Sequence, residues 1–230
     1  SPHIESVQAA AYVAQERVLR GEVLDGDDRA HPDVLELPLH LVDWEPTYAL
    51  ATFTSAEVEV AEPWTPRAPL EPVEPRAVPP LDEPEIEDAL LDLVQPWIAA
   101  SNGAARAVVV AGDAVAAASA LTLDTLSIGR LEVDETVQHL AWAAASGGAH
   151  GRRRGAAFGR SMAWYTGALI GDLRWPPAPT DLGRRLAALD WYRWDEGSEE
   201  EGWILRIAVH DPEHGWSAAL AATDLLDDGA

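Results

Sequence analysis

Pro63, Pro66, Pro69, Pro72 and Pro75 recur at every third residue, and Pro79, Pro80 and Pro84 follow. Proline lacks the N–H that a helix interior or a central strand needs, so this stretch can be neither. Three residues per turn is the polyproline II repeat, which would place the first five prolines along one edge. At about 3.1 Å per residue, residues 63–75 would span about 37 Å. The spacing predicts an extended spacer over 63–84, free of regular hydrogen-bonded structure and lying on the surface. It divides the chain into residues 1–62, an N-terminal helix and small β portion, and residues 85–230, a helical unit with a C-terminal antiparallel sheet. A ligand for an aromatic-grooved partner domain is the alternative reading of the prolines.

Hydrophobic spacing fills in the rest. Ile4, Val7, Ala11, Ala14 and Val18 share a helical face over residues 4–20, which Gly21 ends. Val34 to Val42 alternates as a strand does, despite Pro38, and Tyr48–Thr54 with Glu57–Val60 reads as a short hairpin. Pro84 opens a helix that Asn102-Gly103 closes, with a kink expected at Pro96. Residues 104–123 read either as a buried strand feeding a helix or as helix throughout. Further helices are expected from Asp134 to Ala145, from about Arg152 to Leu173, and from Thr180 or Asp181 to Leu189. Asp190–Asp195, Trp203–His210 and Trp216–Thr223 form an antiparallel meander, with Trp203, Leu205, Ile207 and Val209 on one face. The fold class is therefore α+β.

Composition removes whole chemistries. All 16 basic residues are Arg, and there is no Cys. That excludes a lysine Schiff base, a P-loop lysine, a thiol nucleophile and a zinc–thiolate site on this chain. No cofactor is expected. Net charge is −23, which argues against general nucleic-acid binding, although an acidic decoy of nucleic acid fits it. No apolar run approaches the 18 or so residues of a membrane span. With no secretory signal at Ser1, a cytoplasmic location is the default expectation.

Against this acidity stands one basic island, since residues 146–185 carry seven Arg and two acids. Gly147, Gly151, Gly155, Gly159, Gly167 and Gly171 stand at multiples of four. Each helical glycine costs roughly 0.8–1 kcal/mol against alanine, so a reason is needed. Four residues advance about 400° around a helix, so the series winds and would meet two neighbours in succession. A glycine-lined ligand groove is the other reading. Within the series, Gly147-Gly148-Ala149-His150-Gly151 leads into Arg152, Arg153 and Arg154. Three arginines at a helix start oppose its dipole unless an anion is near. His150, Gly151, Arg152, Arg153 and Arg154 are therefore the candidate anion- or partner-binding residues. The anion could be a small ligand, an acidic protein partner or the chain's own carboxylates.

The stretch from Ala141 to Gly155, with Trp191–Asp195, Asp211-Pro212 and Ala222-Thr223-Asp224, resembles an actinobacterial family of unknown function carrying Ser-Gly-Gly-Ala-His-Gly-Arg-Arg-Arg-Gly. The resemblance covers residues 135–225. It implies no activity, cofactor or catalytic residue.

Other constellations are weaker. His210 and His214 have metal-ligand spacing only on a helix, and Pro212 between them points to a turn. His139 shares a helix face with Glu135 and Trp142. The leading functional reading is a binding or assembly module that meets a protein partner, or itself, through the acidic surface and the basic island. The runner-up is an enzyme for an anionic substrate held by His150 and Arg152–Arg154, with Asp134 or Glu135 as the base. Whether the chain is an enzyme stays open at this point.

Overall fold

The computed structural model describes residues 6–53, 55, 58–59, 66–122, 125–197 and 202–225. Its helices are α1 (Val7–Val18), α2 (Pro32–Leu35), α3 (Pro84–Ala100), α4 (Ala114–Ser119), α5 (Val133–Ser146), α6 (Ala156–Ile170) and α7 (Pro179–Ala188). A two-stranded ribbon pairs β1 (Thr52–Phe53) with β2 (Val58–Glu59). The main sheet is antiparallel throughout, in the order β3-β5-β6-β7-β8-β4. Its strands are β3 (Glu71–Val73), β4 (Ala104–Ala111), β5 (Leu126–Leu131), β6 (Asp190–Asp195), β7 (Gly202–Asp211) and β8 (Trp216–Leu225).

The expected meander forms, with Trp191 opposite Val209 and Asp211 opposite Trp216. Alternation along β7 sends Leu205, Ile207 and Val209 to the face covered by α3, α5, α6 and α7. Ala208 goes to the other face, where the Ala-rich α4 packs on Val110, Trp194 and Ala219. Residues 104–123 thus resolve as strand then helix, with Asp113 capping α4 by accepting the Ala116 N–H at 3.0 Å.

The proline segment departs from expectation in two places, one of them where Pro80 bridges Val110 and Leu81 N–H donates to Val109 O at 2.7 Å. Glu71, Pro72 and Val73 pair with Ile128, Ser127 and Leu126 as an edge strand. An edge strand leaves one side unpaired, and proline is tolerated there. Pro63 lies outside the described residues.

Val34–Val42 is not a strand. Pro32 starts the single turn of α2, and Glu36 turns the chain out of it at φ 53°. Beyond it, the alternation of Leu37 and Leu39 reports an extended segment with one buried side. Two of its carbonyls bond to a side chain in place of a neighbouring strand. The Arg160 guanidinium donates to Pro38 O at 2.9 Å and to His40 O at 2.9 Å.

Candidate functional site

The basic island is not the start of a helix. The α6 helix begins at Ala156, after Gly155 at φ 90°, so Arg152–Arg154 form an extended lead-in. The positive end of α6 is also occupied, because Ala157 N–H donates to Glu16 Oε1 of α1 at 3.0 Å. The dipole argument for an external anion therefore fails here. What remains is the arginines.

A tight turn sets their position. Gly147 and Gly148 both adopt left-handed backbone, at φ 76° and 78°. The buried Asp224 carboxylate lies where a Gly148 side chain would stand, and its Oδ2 accepts the Ala149 N–H at 2.6 Å. Ser101 Oγ takes the His150 N–H at 2.9 Å, and Ala145 O takes the Arg154 N–H at 3.0 Å. The backbone amides of Ala149, His150 and Arg154 are thus already spent within the fold.

Arg152, Arg153 and Arg154 line a cleft of about 470 Å³ with Tyr12, Pro96 and Phe158. Arg154 lies 5.0 Å over the Phe158 ring and donates to Gln95 Oε1 at 3.2 Å. Arg153 is half-buried, and that burial pulls its guanidinium below the usual arginine range. Among the described residues no carboxylate pairs with any of the three. His150 is exposed on the turn, and neither it nor Gly151 lines the cleft.

The enzyme constellation does not assemble. Asp134 pairs with Arg67 at 2.5 Å, and Glu135 accepts N–H groups from Glu132 at 2.9 Å and Arg67 at 2.7 Å. Both acids sit at the start of α5, and His150 lies beyond its other end, about 20 Å along a 14-residue helix. His139 is half-buried on α5 with Nδ1 at 2.6 Å from Glu135 O. Burial holds it below the ordinary histidine pKa.

Arg160 is the member of the island that its sequence position conceals. Its side chain is fully buried, and all five N–H groups are used. Nε and Nη2 grip the Glu45 carboxylate at 2.7 Å each, and Nη1 donates to Gln15 Oε1 at 2.5 Å and to Pro38 O, while Nη2 also reaches His40 O. Glu45 further accepts from Trp164 Nε1, Tyr48 Oη and Val42 N at 2.6–3.0 Å. This network joins α1, the 36–48 loop and α6, which makes it structural. Nothing local in the sequence marks a pair 115 positions apart.

An antiparallel six-stranded sheet under a helical layer, with an arginine-lined cleft and, among the described residues, no carboxylate on the arginines, defines an α+β protein with a cationic surface cleft. Residues 3–225 match the family of unknown function DUF6183, and the chain belongs to that family. No curated protein and no solved structure matches it. Among the described residues no helix is long and apolar enough to cross a membrane, and no group of three or more His, Asp or Glu could hold a metal ion.

Proposed function

We propose that this protein is a binding module whose Arg152–Arg154 cleft receives an anionic segment of a protein partner. One observation carries the reading: a half-buried Arg153 without a carboxylate, in a chain with 39 acids available. Desolvating a guanidinium costs free energy that an opposite charge would recover. The chain's own carboxylates, abundant as they are, do not supply that charge among the described residues. Three guanidinium forks match carboxylate oxygens two at a time. Tyr12, Pro96 and Phe158 beside them suit an apolar or aromatic side chain next to the acid, as in an interface anchor.

Two measurements test this. Sulfate or phosphate should raise the melting temperature beyond a sodium chloride control of equal ionic strength, and the R152Q/R153Q/R154Q variant should lose that increment. An acidic peptide carrying one phenylalanine should bind the wild type in fluorescence anisotropy, and its Asn/Gln counterpart should not. If anions never help the wild type and the triple variant melts far lower without them, the arginines are structural and the proposal fails.

A further inference from the structure

A second cavity of about 470 Å³ lies at the other end of α6 from the arginine cleft, between the start of α3, the end of α6, α7 and the β7–β8 turn. At its wall Asp211 is fully buried at the end of β7. Its Oδ1 accepts the N–H groups of Glu213 at 2.9 Å and His214 at 3.1 Å, which shapes the turn. Its Oδ2 accepts from Arg185 and faces His214 Nδ1 at 2.8 Å. Three other N–H groups donate to this carboxylate, so Nδ1 of a neutral His214 turns its proton towards it and Nε2 is left as an acceptor. Arg185 is fixed in turn by Gly171 O at 3.1 Å, so its charge is spent inside the wall.

The lining of this cavity is matched to one kind of ligand. Ile86, Leu169 and the half-buried Trp216 give it an apolar wall that includes an indole ring. Glu83, Glu85 and Asp172 stand exposed around it, and among the described residues none has a cationic partner. The α6 helix also ends here, at Ile170, and a helix C-terminus favours positive charge. An ammonium group has three N–H donors and no acceptor. His214 Nε2 with the Asp172 and Glu85 carboxylates supplies acceptors only, and an indole ring attracts a cation.

We infer that this cavity binds a small organic cation, a primary ammonium attached to an apolar or aromatic body, with His214 as the fixed acceptor. The role is separate from the arginine cleft and does not rest on it.

Isothermal titration calorimetry with 2-phenylethylammonium tests it, with 2-phenylethanol and phenylacetate as the neutral and anionic counterparts. The ammonium should bind the wild type at least tenfold more tightly than either. The surface variant E85Q/D172N should weaken it at least tenfold while leaving the thermal melt near that of the wild type, and H214A, shown to be folded by circular dichroism, should weaken it as well. D33N/D92N removes two exposed carboxylates elsewhere and should bind as the wild type does. Equal binding of the three probes, or no heat from the ammonium at 10 mM, would overturn the inference. So would equal weakening by D33N/D92N and E85Q/D172N, since that is general attraction to a chain of net charge −23.

Discussion

Arg153 and Arg160 stand seven positions apart and end in opposite circumstances. Arg160 is buried with a complete set of acceptors, whereas Arg153 is half-buried with no carboxylate among the described residues. Burying a charge is costly, and removing one partner of a buried pair strands the other. Glu45→Gln should therefore destabilise by about 3–5 kcal/mol, because the amide returns one acceptor where the carboxylate returned two and leaves the guanidinium uncompensated. A urea midpoint within the error of the wild type would show that water reaches Arg160. Sequence reading placed both arginines in one basic island because charge counting sees side chains and not their partners. The same blindness hid Asp211–His214: the turn was legible from Pro212, but nothing in the spacing shows which side chain the turn buries.

At the scale of elements, periodicity was a sound guide where each element answers to one buried face. The meander, α3 and α5 follow from it. It failed where backbone partners come from elsewhere, as at Val34–Val42, whose Pro38 and His40 carbonyls serve Arg160, and at β5, a short strand whose Gly129 leaves room for the Pro69 carbonyl. The glycine series shows both outcomes. Gly147 and Gly155 are turn residues with positive φ, and only Gly159 and Gly167 lie inside α6. A Cβ on Gly159 would stand closer than 3.0 Å to Ala141 O of α5, whereas one on Gly167 would meet the flexible Leu186 and Leu182 side chains of α7 at 3.1 and 3.6 Å. Two neighbours in succession is what a winding stripe implies. Gly159→Ala gains about 1 kcal/mol of helix propensity but must push two backbones apart, so a net loss of about 1–3 kcal/mol is expected. Gly167→Ala should lose less, since a leucine tip can turn aside. Equal midpoints for the two variants in denaturant would show that α5 yields as easily as a side chain.

For the whole molecule the governing quantity is a net charge of −23. Like charges repel in the compact state, so lowering the pH from about 7 to about 5 should raise stability as repulsion is relieved. Asp211 acts in the opposite sense at lower pH. Burial would push its carboxyl up, but hydrogen bonds from the His214 ring, from Arg185 and from the His214 and Glu213 amides outweigh that and hold it at about 2, against 3.8 when exposed. A carboxyl depressed in the folded state contributes stability that is complete above its unfolded pKa and disappears as the pH falls through the folded one. The window therefore runs from about pH 4 down to about pH 2, and the contribution is about 2 kcal/mol. Urea midpoints at low salt should climb from pH 7 to 5 and fall below 4. In about 1 M salt, where the Debye length is about 3 Å, the climb should flatten while the acid fall persists, because a buried pair is screened little. Asp211→Asn should remove about 2 kcal/mol of the acid fall and leave the climb untouched. A midpoint that declines steadily from pH 7, with the same slope in both salts, would mean that the acidic surface does not limit stability and that its charge is held by pairing within the fold.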